Sequence, residues 1–173
     1  MTESDEIRRA ELATALAEVR ERIAAAARAA GRDPAGIRLL AVTKTRPARD
    51  AALLTDLGVL ALAENREQEG AAKAAEVATL RPNVQVRWHL VGRLQRNKAR
   101  SIASWAHAVH SVSSEKVVNA LGRAAEEALA DGVRSAPLQV YLQLSLDGDE
   151  SRGGVDIDDT GRVQTVDESV EPR

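Results

Sequence analysis

The sequence contains no cysteine and no phenylalanine, and it has only two tryptophans and one tyrosine. The absence of cysteine excludes disulfide bonds and thiolate metal sites, so any chemistry has to use nitrogen and oxygen atoms. It also agrees with a reducing compartment. Because large aromatic rings are scarce, the core has to be built from leucine, valine, isoleucine and the abundant alanine.

The sequence also has no apolar run of membrane-spanning length and no strong excess of charge. Residues 1–6 are acidic, without the basic-then-apolar order of a secretion signal. The formal net charge of −2 gives no general attraction to nucleic acids or anionic membranes. The 173 residues are enough for one domain. We therefore predict a cytoplasmic protein that binds neither nucleic acid nor membrane.

Apolar segments of two periodicities alternate along the chain. A first amphipathic helix is predicted from an N-cap at Ser4 to a stop near Gly31 and Pro34. Strands are then predicted over 37–43, 59–63, 84–91, 108–112 and 138–146, with helices over 48–57, 66–79, 95–104 and 115–130. Helical crossovers make neighbouring strands parallel, which gives an α/β fold: an open doubly wound sheet or a closed (β/α)8 barrel. No glycine-rich phosphate loop follows a strand, which weakens the nucleotide-binding form of the open sheet.

Polar residues follow the predicted strands at the ends where parallel β/α folds gather their chemistry. In chain order they are Thr43, Lys44 and Thr45; Glu64 and Asn65; His89 and Gly92; Ser111, Ser113 and Ser114; and Ser145 and Asp147. Lys44 is the most informative, because it closes the apolar run 37–43. An ammonium held among apolar neighbours loses hydration, and the neutral amine can condense with an aldehyde to form a Schiff base. On position alone, a lysine that ends a strand and points into water is the favoured interpretation.

Three motifs in a fixed order change that balance. They are LAVTKT at 40–45, AENREQE at 63–69 and WHLVGRLQRNK at 88–98, followed by LQLS at 142–145 and ESRGGV at 150–155. Together they resemble the pyridoxal phosphate homeostasis protein family, whose members look like the N-terminal barrel domain of alanine racemases. The resemblance runs from the first helix to about Val155.

The resemblance implies a (β/α)8 TIM-barrel fold, here incomplete, with about five of the eight β/α units and an N-terminal helix. It implies that Lys44 forms the internal aldimine with pyridoxal 5′-phosphate, a form of vitamin B6, and that Asn65 and His89 lie near this cofactor. It further implies a protein that holds the cofactor for homeostasis without established catalysis, with no metal site. Cofactor-accepting apoenzymes are the implied partners, and the complete barrel is expected to be a monomer.

The C-terminal part departs from the family pattern. We expect 1–155 to form the partial barrel and 156–173 to form a polar tail left by truncation or a frameshift. The family's last three strands are missing from this pattern, together with glycine- and serine-rich segments expected to hold the phosphate. A phosphate without backbone N–H donors loses much of its binding energy. A fragment that has lost cofactor binding, with exposed strand edges that promote aggregation, is therefore one alternative.

A racemase-like enzyme that uses the same cofactor is a second alternative. Racemisation needs acid/base groups on opposite faces of the substrate carbanion, and Lys44 can serve only one face. In the racemases, a second domain contributed across a dimer supplies the other group. The pattern of this sequence leaves no room for such a domain.

Two binding alternatives are weaker. A basic run with Arg93, Arg96, Lys98 and Arg100 is more typical of a solvated helix face than of a nucleic-acid interface. A metal site at His107 and His110 is disfavoured, because residues three apart on a strand face opposite sides.

Overall fold

The computed structural model describes residues 2–145 and 154–156, and the chain divides into two compact units, Met1–His89 and Leu90–Arg173. The described helices are α1 Glu3–Ala29, α2 Ala48–Asp56, α3 Glu67–Leu80, α4 Ala99–Trp105 and α5 Glu115–Ala130. The described strands are β1 Ala41–Val42, β2 Ala61–Glu64, β3 Arg87–Leu90, β4 Ala108–Val112, β5 Gln139–Leu142, β6 Leu144–Ser145 and β7 Val155–Asp156. The predicted α/β class, with strands and helices in alternation, is confirmed.

The sheet of the first unit has β2 between β1 and β3. Strands β1 and β2 are parallel, with Ala41 opposite Leu62 and Val42 opposite Ala63. The strand predicted over 37–43 is therefore shortened to Ala41–Val42. The register explains most of the difference, because Leu40 lies opposite Ala61, the first residue of β2, and residues 37–39 therefore extend past the start of β2.

The first helix begins two residues earlier than predicted. Its N-cap is Thr2 and not Ser4. The Thr2 hydroxyl accepts a hydrogen bond from the Asp5 amide (3.3 Å), and the Asp5 carboxylate accepts one from the Thr2 amide (2.7 Å). This reciprocal capping box satisfies two groups that a helix N-terminus otherwise leaves unpaired.

Ion pairs connect α1 to α2. Arg8 pairs with Asp50 at 2.8 Å. Arg49 of α2 pairs with Asp5, and this guanidinium holds the pKa of the Asp5 carboxyl well below its usual range. The predicted apolar face of α1 is only partly covered, since Ile7 is 60% exposed. Polar contacts therefore supply much of the contact between these helices.

The second unit is built around one apolar cluster. Its buried members are Leu90, Ala99, Ile102, Ala103, Ala106, Val109, Val112, Leu121, Ala124 and Ala128. Many of them are alanines, whose small side chains let α4 and α5 approach each other closely. The predicted strand 108–112 and helix 115–130 are confirmed with the same bounds.

Strands β4 and β5 of this unit run parallel, and an aromatic pair spans them. His110 and Tyr141 stack with ring centroids 4.5 Å apart and an interplanar angle of 13°. Burial lowers the pKa of the His110 imidazole.

Within residues 2–145 and 154–156, no group of three histidine, aspartate or glutamate side chains could hold a metal ion. No helix in the same described part is long and apolar enough to span a bilayer.

Replacing Leu121 tests the cluster of the second unit. Leu121 is fully buried, whereas Leu129 on the same helix is 38% exposed. We expect Leu121→Ala to lower the free energy of unfolding by about 2–5 kcal/mol, because a cavity forms. Leu129→Ala is the matched control, with an expected loss below about 1 kcal/mol. Urea unfolding of both variants measures the difference, and equal losses would contradict the assignment of the core.

The stacked His110 predicts a pH dependence of stability. Its pKa in the folded protein lies below that of the unfolded chain, so acidification adds protons to the unfolded state first. Its contribution is present above the unfolded pKa, about 6.5, and is lost as pH falls through the folded pKa. His110→Phe keeps a ring but cannot be protonated. Its unfolding midpoint should therefore fall less than that of the unmodified protein between about pH 7.5 and about pH 5.5.

Candidate functional site

A tight turn follows β1 and carries Lys44. The Thr43 amide donates to the Ala63 carbonyl (2.8 Å), which extends the pairing with β2 by one residue. The Arg46 amide then donates back to the Thr43 carbonyl (3.0 Å). This bond closes a four-residue turn with Lys44 and Thr45 at its two central positions. Lys44 thus lies at the C-terminal edge of the sheet, as predicted.

The backbone of this turn is strained at Thr45. Its φ of 64° lies in the left-handed region, which a β-branched residue rarely adopts. Turns with a positive φ at the third position usually have glycine or asparagine there. Such a residue costs about 1–3 kcal/mol and persists only where the surrounding structure holds it.

Lys44 itself is exposed to solvent. This agrees with the interpretation that position alone favours, a lysine at a strand end in water, and contradicts the alternative of an ammonium held among apolar neighbours. The chain turns at Lys44 and does not continue as a buried strand. Val42, which precedes it by two residues, is also half exposed. What the turn offers is an accessible primary amine on a constrained backbone.

Asn65 and His89 both lie in the first unit and are partly buried. Val42 and Ala63 are register partners, so Lys44 and Asn65, two residues further on, lie at neighbouring places on the same edge. His89 lies in β3 between the buried residues Trp88 and Leu90. Because side chains alternate along a strand, His89 faces the opposite side of the sheet from these two residues. Trp88 is a buried core residue.

A buried ion pair lies directly behind the turn. Glu64, at the end of β2, is 0% exposed, and its Oε1 lies 2.5 Å from Nζ of Lys73 on α3, which is 9% exposed. The Thr43 hydroxyl donates to the same carboxylate oxygen (2.6 Å). Lys73 also donates to the Thr43 carbonyl (2.8 Å). The amide, hydroxyl and carbonyl of Thr43 are therefore all bonded.

This pair changes the interpretation of Glu64, and Lys73 was not among the predicted site residues. Glu64 follows the predicted strand like the other rim residues, but it is buried. The sequence does hold a signal for Lys73, because Gly70, Lys73 and Val77 recur at helical spacing and form the buried side of α3. A lysine on a buried helix side needs an acidic partner, and Glu64 ends the preceding strand.

The second oxygen of Glu64, Oε2, is buried and has no hydrogen-bond partner among residues 2–145 and 154–156. A buried carboxylate oxygen without a donor is costly. The pair that holds the turn therefore costs the folded state some stability.

The second unit also has a strained residue near a strand end. Ser111 has a φ of 59°, at the place where the register of β4 and β5 shifts. Its hydroxyl donates to the Val91 carbonyl (3.4 Å).

Of the basic run, Arg100 pairs with Glu127 at 3.0 Å on the surface. Asp147, a predicted rim residue, lies outside the described residues.

Known proteins are similar in sequence to this chain over most of its length. The pyridoxal phosphate homeostasis protein of Mycobacterium leprae is 50% identical over 169 residues, which cover 95% of this chain and 66% of that protein. The protein of the same name from Mycobacterium tuberculosis is 52% identical over 165 residues, which cover 92% of this chain and 64% of the relative. The chain belongs to the pyridoxal phosphate homeostasis protein family. It spans about two thirds of the length of these curated relatives.

Solved structures agree with this membership. PipY of Synechococcus elongatus, determined with PLP bound, matches with a TM-score of 0.60 and 34% identity over 79% of this chain and 57% of PipY. An unknown protein from Bifidobacterium adolescentis matches with a TM-score of 0.74 and 31% identity, over 89% of this chain and 61% of that one. No protein-family model matches the sequence.

The first unit of this family member fits the aldehyde end of pyridoxal 5′-phosphate. The accessible amine of Lys44 is the group that an aldehyde needs, and the turn beneath it is constrained. Asn65 at the same edge adds an amide with both donor and acceptor atoms.

Breaking the buried pair tests its part in stability. We expect Lys73→Met to lower the free energy of unfolding by about 3–5 kcal/mol, because Glu64 keeps a buried charge without its partner. The double change Lys73→Met with Glu64→Leu should recover most of this loss, since apolar replacements of buried pairs are often neutral. Urea unfolding measures both variants.

The control for this cycle is the pair of Arg81 and Asp56, which are 2.7 Å apart and partly exposed. Arg81→Met should cost less than about 1 kcal/mol, as exposed pairs do. If Lys73→Met costs no more than Arg81→Met, the pair is not buried as described.

Proposed function

We propose that this protein holds pyridoxal 5′-phosphate as a Schiff base on Lys44, with Asn65 and His89 close to the cofactor, and that it serves intracellular cofactor homeostasis. The observation that carries the proposal is the accessible amine of Lys44 on a constrained turn. Membership of the family and the similarity to PipY, determined with PLP bound, support the choice of aldehyde.

The chemistry requires little from the protein. The neutral nitrogen of Lys44 adds to the aldehyde carbon, water leaves, and a C=N bond connects the two. The exposure of Lys44 lets water or another amine reach that bond, so the condensation can be reversed. Reversible holding suits a protein that passes the cofactor on to apoenzymes and does not transform a substrate.

The same proposal includes the finer features of the fold and of the cellular setting. The β/α units form part of a (β/α)8 TIM barrel, and the protein is cytoplasmic. It is not an enzyme, it needs no metal, and neither nucleic acid nor membrane is a partner. The parallel pairing of β1 with β2 and of β4 with β5 supports the barrel architecture.

The proposal is tested by identifying the lysine that reacts. The sequence has four lysines: Lys44, Lys73, Lys98 and Lys116. After the protein is mixed with pyridoxal 5′-phosphate, borohydride reduction and peptide mapping should find the label on Lys44. Lys44→Ala should lower the trapped label and the visible absorption of the imine by about tenfold or more.

The matched control is Lys116→Ala, which removes an exposed lysine from α5 in the second unit. This variant should trap as much label on Lys44 as the unmodified protein does. Equal colour in Lys44→Ala and the unmodified protein, lost on dilution, would refute the proposal and favour a fragment without cofactor binding. Interconversion of alanine enantiomers by the loaded protein, abolished by Lys44→Ala, would favour the racemase-like alternative.

A further inference from the structure

We infer that the buried pair of Lys73 and Glu64 positions Lys44, by holding the strained turn in the one conformation that presents its amine. This inference rests on the proposed function. Lys73 and Glu64 are positioning residues, since they are bonded to Thr43 and not to Lys44.

The contacts converge on the peptide group that leads into Lys44. The carbonyl of Thr43 belongs to that peptide, and it accepts from Nζ of Lys73 (2.8 Å) and from the Arg46 amide (3.0 Å). Glu64 holds the Lys73 ammonium at 2.5 Å and the Thr43 hydroxyl at 2.6 Å. Rotation of this peptide would break the bonds of its carbonyl to Lys73 and Arg46.

The turn needs this restraint because Thr45 is in the left-handed region. A free turn would relax Thr45 to a negative φ, and the Arg46 amide would move away from the Thr43 carbonyl. Lys44 lies between Thr43 and Thr45, so relaxation on either side redirects its side chain. The restraint comes from buried groups, whereas the amine that it directs stays exposed.

If the pair served stability alone, a stable variant with apolar residues in its place would present Lys44 as the unmodified protein does. Such a variant is possible, because apolar residues can replace a buried pair without loss of stability. The variant with Lys73→Met and Glu64→Leu should therefore fold, but it supplies no donor to the Thr43 carbonyl. Stability and positioning separate in this variant, which makes it the central test.

The first measurement uses the protein without cofactor. Amide hydrogen exchange at Arg46 should be about tenfold faster in the double variant, since the strain at Thr45 then opens the turn. The Gly58 amide, which donates to the Thr55 carbonyl at the end of α2 (3.0 Å), is the internal control and should not change. An unchanged Arg46 rate would overturn the inference.

The second measurement uses pyridoxal 5′-phosphate and borohydride trapping. The double variant should need about tenfold more cofactor than the unmodified protein to label Lys44 to the same extent. Adding Thr45→Gly should recover most of this loss, because glycine adopts a positive φ without strain. Thr45→Gly alone measures the direct effect of losing the threonine side chain. A double variant that labels like the unmodified protein, or one that Thr45→Gly does not rescue beyond that direct effect, would overturn the inference.

Two further comparisons keep the test decisive. Equal labelling of Lys44→Ala and the unmodified protein refutes the proposed function, while the Arg46 exchange rate still tests the restraint. If the double variant does not fold, Thr43→Val replaces it. This change removes the hydroxyl of Thr43, which donates to Glu64 (2.6 Å) and more weakly to the Ala63 carbonyl (3.4 Å). It should still speed exchange at Arg46, and no change there would overturn the inference.

Discussion

The ammonium of Lys73 and the carboxylate of Glu64 meet at 2.5 Å where both are buried, and this contact joins the elements that carry the candidate site. Glu64 ends β2, Lys73 lies on α3, and both are bonded to Thr43 at the end of β1. Desolvation makes either charge costly alone, so each requires the other. A single buried contact therefore sets the relative positions of two strand ends and a helix.

A helix or strand can be predicted from the sequence where its apolar periodicity and its boundary residues both lie within the segment itself. Helix 115–130 and strand 108–112 have apolar patterns and clear boundary residues, and the structure reproduces their bounds. The strand over 37–43 has an equally apolar pattern but becomes two residues. Its length depends on where β2 begins, and this is a property of pairing that no single segment encodes.

Some features of the candidate site could likewise be predicted from the sequence, and others could not. The position of Lys44 at the end of a strand follows from the sequence, because a β/α alternation places strand ends at one edge. Its exposure agrees with the interpretation that its position alone favours, but the tight turn closed by the bond from Arg46 back to Thr43 does not follow from the sequence. Lys73 is harder still to predict, since its importance comes from a partner on another element.

The proposed function, holding a cofactor at Lys44 and giving it up, imposes two requirements that conflict, and the arrangement separates them. Selective condensation at one lysine requires a fixed amine, and fixing is usually obtained by burial. Burial would also slow the water or amine that must later reach the C=N bond. Here the buried groups act on Thr43, one residue before Lys44, and the strained turn transmits their restraint to an exposed side chain. Rigidity and access are therefore compatible at this site because they belong to different residues.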